Sequence, residues 1–198
     1  MKNALPLALA LAASLALAAC LGGGPKPSFY ALSSASAASA PLAAKPELGL
    51  VVGPIEFPRY LDRPELVARD GANQLVVADA HRWGGSLRNE ILRVVSDDLG
   101  RLLGTSRVVM YPAEPRYAAS YRVLLDLREF ERVAGGDVVL RVRWTIASMA
   151  GGAALVVEES SYAQPVASSS WTDVVAAESA ALAALTRRIA ERIAALPD

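Results

Sequence analysis

The sequence predicts a two-layer α/β (α+β) sandwich, with a mainly antiparallel or mixed sheet and two helices packed on one face. Three observations carry this. Short Val- and Ile-rich runs bounded by Gly and Pro recur from Leu48 onward. Glycine turns at Gly135-Gly136-Asp137 and Gly151-Gly152 join the last three runs, as hairpin connections do. Residues 87–103 and 172–196 switch the apolar period from two to three-and-four, the period of an amphipathic helix.

Each element follows in order. Phe29-Tyr30-Ala31-Leu32 suits a short first strand, and Leu48–Phe57 a buried one ended by Pro58. Glu65–Arg69 and Gln74–Ala80 flank Asp70-Gly71-Ala72-Asn73, a hairpin turn. Ser86 is an N-cap type, and Leu87, Ile91, Val94, Val95, Leu99 and Leu102 form a stripe that Gly104 terminates. Arg107–Tyr111 is a strand leading to Pro112. In Tyr121–Val133, residues Val123, Leu125 and Leu127 share one face, with Arg122, Asp126 and Arg128 on the other. Val138–Ala147 and Ala154–Gln164 complete an antiparallel meander. The last helix, Thr172–Leu196, has Ser170 as N-cap, Asp173 in its first turn and a stripe of Leu182, Leu185, Ile189, Ile193 and Leu196.

The N-terminus is a targeting segment. Lys2 precedes an Ala/Leu stretch from Ala4 to Ala16, and small residues lead to Cys20. Ala4–Ala19 falls short of the roughly 20 residues that span a bilayer. Gly22-Gly23-Gly24-Pro25 follows it, with no stop-transfer charge. Residues 1–19 therefore read as a signal peptide. Leu17-Ala18-Ala19-Cys20 resembles the lipobox of bacterial lipoproteins. The resemblance implies that Cys20 becomes the N-terminus and carries diacylglycerol and an N-acyl chain, which anchor the protein to a membrane. Residues 20–28 form the lipidated cysteine and a flexible tether, and 29–198 a single periplasmic domain with a low-complexity loop at 33–46. Cys20 is the only cysteine, so packing rather than a disulfide must hold the domain together.

Composition excludes several classes. The chain has 20 basic and 20 acidic residues, with no basic excess for nucleic acid. Its one histidine, His81, cannot by itself build a metal cage. The carboxylates are scattered or lie on helix surfaces, as do Asp97 and Asp98. No phosphate-binding Gly-rich loop, Gly-x-Ser-x-Gly or His-Glu-x-x-His occurs. The expectation is a protein that is not an enzyme and has no metal or dissociable cofactor.

Two motifs stand out. Phe57-Pro58-Arg59-Tyr60-Leu61-Asp62-Arg63-Pro64 is a Pro-bounded loop. His81-Arg82-Trp83-Gly84-Gly85-Ser86-Leu87 runs into the first helix. On one reading Asp62 and Arg63 lock a tight corner and Trp83 plugs the sheet–helix junction. On the other, Tyr60, Leu61, Asp62, Arg63, Pro64, Arg82 and Trp83 belong to a partner or subunit interface, where Trp, Tyr and Arg are favoured anchors. Trp144 reads as core, and Trp171 as a staple at the last helix.

The lipobox, Phe29–Leu32, Phe57–Val67, Arg82-Trp83 with Leu87, and Leu185 with Ile189-Ala190 occur in this order along the mature chain. In these features it resembles the ABC-type transport auxiliary lipoproteins, the PqiC/YmbA-like family. Gly84-Gly85 departs from that pattern, which has less flexible residues there. The resemblance implies an accessory role beside MCE-type systems that move lipids between bacterial membranes. In that role the lipoprotein docks an MCE-domain protein at the outer membrane and supports membrane integrity. Leu21, in place of an aspartate after the cysteine, favours sorting to the outer membrane. A homo-oligomeric ring is a further expectation. The alternatives are a free-standing lipid carrier and an assembly lipoprotein for an outer-membrane barrel.

Overall fold

The computed structural model describes residues 26–34, 40–134 and 136–197. The predicted signal peptide, Cys20 and tether residues 21–25 lie outside the described residues, as do 35–39, Gly135 and Asp198. The described residues form a curled mixed sheet of eight strands with two helices. The strands are β1 (Ser28–Tyr30), β2 (Leu50–Glu56), β3 (Glu65–Arg69), β4 (Leu75–Trp83), β5 (Val108–Met110), β6 (Tyr121–Arg132), β7 (Val138–Ser148) and β8 (Ala154–Gln164). The helices are α1 (Leu87–Leu103) and α2 (Trp171–Ala194).

The antiparallel meander β6–β7–β8 is the backbone of the sheet. Along it the alternation of apolar and polar residues is realised as one covered face, with Val123, Leu125, Leu127, Val138, Leu140, Val142, Trp144 and Ile146 all buried. The other edge of β6 is shared by two strands in tandem. β2 runs parallel to its first half, from Leu50 opposite Tyr121 to Glu56 opposite Asp126. β3 meets only its end, where Ala68 faces Arg132. Between these contacts β6 carries a bulge, with Arg128 inserted as the pairing passes from Leu127–Val142 to Glu129–Arg141. The Phe57–Pro64 segment is the corner that carries the chain from β2 to β3 around this gap.

The sequence places the helices well. All six residues of the first stripe are buried, and so are Leu182, Leu185, Ile189 and Ile193 of the second. Each such side chain contributes about 2 kcal/mol relative to exposure. α1 packs on β2 and β5, α2 packs on β6–β8, and the helices touch each other. Gly104 adopts the left-handed conformation expected of a helix terminator, with φ 63°. Ser170 caps α2 by accepting the Asp173 N–H at 3.1 Å. Ser86 holds the N-cap position of α1, yet its side chain makes no capping bond.

Three differences from the sequence reading have simple causes. β4 runs on through His81-Arg82-Trp83, because β1 pairs alongside these residues and extends the ladder. Parallel pairings (β1–β4, β2–β5, β2–β6 and β3–β6) are more numerous than local hairpin signals can reveal. The ends of the low-complexity loop are stitched to both helices. Ser33 N–H reaches Ser179 Oγ at 3.1 Å, Ser34 Oγ donates to Asp98, and the Leu42 and Lys45 N–H groups reach the carbonyls of Leu102 and Leu103 at 2.8 Å. These bonds are mostly made by backbone, which leaves no trace in residue type.

Candidate functional site

The tertiary structure brings the two motifs together. Glu65 and Arg82 are register partners in the β3–β4 pair, and the Trp83 N–H donates to the Pro64 carbonyl at 2.7 Å. The Gly84 N–H donates to the Tyr30 carbonyl at 2.7 Å, so Trp83 sits between two backbone clamps with its ring buried. Neither Gly84 nor Gly85 has a positive φ, and a Cβ on Gly85 would meet nothing within 4 Å. Neither glycine is therefore required by the backbone conformation.

The corner itself is locked from within. Leu61 N–H bonds to the Pro58 carbonyl at 3.0 Å and Asp62 N–H to the Arg59 carbonyl at 3.1 Å, while the Leu61 side chain enters the core. The strongest lock is one that sequence reasoning missed. Glu131 is 0 % exposed and lies in the gap of the β6 edge. Its carboxylate accepts the Tyr60 hydroxyl at 3.0 Å, Arg69 Nε and Nη2 at 3.0 and 2.8 Å, and the Phe130 N–H at 2.8 Å. The Arg69 guanidinium also lies 5.6 Å from the Tyr60 ring centroid. Burial, and then the charge of Glu131, push the Tyr60 phenol up to about 12. A second buried acid, Glu178 on α2, is held well above the usual carboxylate range by burial first and by Glu131 second, and its Oε2 has no partner. The available signal was a pair of acids, Glu129 and Glu131, inside an otherwise apolar alternation. The bulge at Arg128, invisible in sequence, puts Phe130 rather than the two acids on the core face, and Tyr60 and Arg69 then cover Glu131 while Glu129 stays half-exposed.

The motif thus divides in two. Tyr60, Leu61 and Trp83 are anchors packed into the domain. Asp62, Arg63, Pro64 and Arg82 remain at the surface. Asp62 and Arg63 do not pair with each other. Asp62 faces Arg88 at 3.5 Å, and Arg63 donates to Glu65 at 2.9 Å. That hydrogen bond from Arg63 is the main reason the Glu65 carboxyl is lowered below its ordinary range. Arg88 also lies 4.5 Å over the Phe57 ring and donates to the Ile55 carbonyl, fixing the corner to α1. Asp62, Arg63 and Pro64 line one wall of a groove of about 320 Å³, and Gly85, Ser86 and Leu87 the other.

The remaining singled-out residues are structural neighbours. His81 Nδ1 and the Tyr30 hydroxyl are 2.8 Å apart, and the His81 ring lies 5.8 Å from that of Trp171. Arg132 covers Trp171 at 5.5 Å. Trp144 is core, as its alternation implied, with Nε1 donating to Ser160 at 3.0 Å. Among the described residues no group of three or more His, Cys, Asp or Glu is placed to hold a metal, and no helix is long and apolar enough to cross a membrane.

Two solved structures share this fold. One is described as an uncharacterized protein, 19 % identical, with a TM-score of 0.69 over 85 % of this chain and 99 % of its own. The other is protein XCC0632 from Xanthomonas campestris, of the family DUF330, 19 % identical, with a TM-score of 0.70 over 84 % and 94 %. No curated protein matches the chain. Residues 30–190 match the family described as ABC-type transport auxiliary lipoprotein component. That span holds both motifs, the gap that Glu131 fills and nearly all of both helices. The family is a class of transport accessory rather than of enzyme, and its name implies association with an ABC transport system. The chain belongs to the ABC-type transport auxiliary lipoprotein family.

Proposed function

We propose that this protein is an accessory subunit anchored in the outer membrane through acyl chains on Cys20, where it docks the MCE-domain protein of an intermembrane lipid transport system. One observation carries this reading. The two motif segments that resemble the family meet in a single groove whose supports are buried and whose rim, Asp62 and Arg63, faces solvent. A rim held from below by Trp83 and by the Tyr60–Glu131–Arg69 cluster is pre-organised, so little ordering cost falls on binding. Tethering to the membrane raises the effective concentration of that rim, and weak contacts suffice. A ring of copies would multiply them. The packed interior supports an accessory over a carrier, because the grooves of about 220–400 Å³ open to the surface rather than enclosing an acyl chain.

The test is a crosslinked pull-down of full-length protein from intact cells, with partners identified by mass spectrometry. Recovery of an MCE-domain protein supports the reading. Recovery of only an outer-membrane barrel, or of bound lipid without a protein partner, overturns it in favour of an assembly factor or a carrier.

A further inference from the structure

Phe29 is 65 % exposed, although the residues around it, Tyr30 and Leu32, pack into the domain. It lies on β1, the strand that the tether enters, in register with Arg82. Glu65 pairs with both Arg63, at 2.9 Å, and Arg82, at 3.8 Å, and the Arg82 side chain is 43 % exposed. Lys26 stands exposed at the start of the same segment. An exposed aromatic beside Arg82, with exposed Lys26 three residues before it, has the chemistry of a contact with anionic headgroups.

Chain length decides what lies opposite. The eight residues 20–27 reach at most about 28 Å at full extension. A folded domain of this size is about 40 Å across. The end carrying β1 is therefore the end turned to the bilayer. The far end of the sheet, with the β7–β8 turn, is held away from it.

We propose that the β1 edge rests on the membrane, with Phe29 in the interfacial layer and Lys26 and Arg82 at lipid phosphates. This rests on the Cys20 anchor, and it sets the docking groove at headgroup level, where a partner delivering apolar cargo meets the bilayer.

The test uses full-length lipidated protein in vesicles of phosphatidylethanolamine and phosphatidylglycerol containing brominated lipid. With Cys20 acylated, Phe29→Cys supplies one reactive thiol for an environment-sensitive dye, and Ala153→Cys supplies one in the β7–β8 turn. Circular dichroism checks that both variants fold. The dye at 29 is expected to be quenched at least about threefold more than the dye at 153. Equal quenching in protein that floats with the vesicles overturns the proposal, assigning Phe29 to a protein partner, and leaves the anchor intact. Protein that does not float overturns the anchor and the proposal with it.

Discussion

Glu131 shows how much one buried residue organises. It joins β6, the corner and β3 through four donors, and it occupies a gap where neither β2 nor β3 supplies backbone partners. Glu131→Gln removes the charge opposite Arg69 and weakens several charge-assisted bonds. It is expected to cost about 2–3 kcal/mol in urea unfolding. The Tyr60 phenol, raised to about 12 from an unfolded value of 10, contributes stability that is complete below pH 10 and lost as pH climbs from there toward 12. Tyr60→Phe should flatten that alkaline decline, as unfolding measured across pH will show. Glu178 has the same sign at a different pH. Its folded pKa is raised, so the protein loses stability as pH rises above 4.5, where the unfolded carboxyl ionises and the buried one does not. Glu178→Gln is expected to be more stable than the parent at pH 7, with the gain vanishing below about pH 4 in denaturant titrations.

At the level of elements, caps and corners separate signals that read alike in sequence. Ser86 and Ser170 both precede an amphipathic stripe, yet only Ser170 bonds the first turn of its helix. Ser170→Ala should therefore cost about 1 kcal/mol and Ser86→Ala close to nothing, as thermal melts will distinguish. Periodicity exposed both helices and the β6–β8 meander because their contacts repeat at short range. The corner was legible as a Pro-bounded motif, but its locking partners were not. Tyr60 and Glu131 are brought together by the parallel passage of β2 and β3 along one edge of β6, and no local pattern encodes that.

Across the whole molecule the two readings of the motifs become separate sets of residues. Trp83 is buried at the junction of β4, β1 and the corner, so Trp83→Ala should cost about 3–5 kcal/mol. Arg63→Ala and Arg82→Ala remove only exposed ion pairs and should shift stability by less than about 1 kcal/mol. A loss of partner capture in Arg63→Ala, with the melting temperature unchanged, is the outcome expected of a docking rim.

The sequence by itself determined the α+β class, both helices, the meander, the family resemblance and Cys20 as the expected lipid site. These depend on periodicity, turn chemistry and short motifs, which act between neighbours in the chain. Only the tertiary structure decided that β2 and β3 share one edge of β6, and that Glu131 fills the gap they leave. It also decided which motif residues hold the domain and which face outward. Those outcomes rest on contacts between residues far apart in the chain, and on one bulge that puts Phe130 rather than the acids of β6 on the core face. Burial is a property of the assembled fold, so residue type alone did not reveal it.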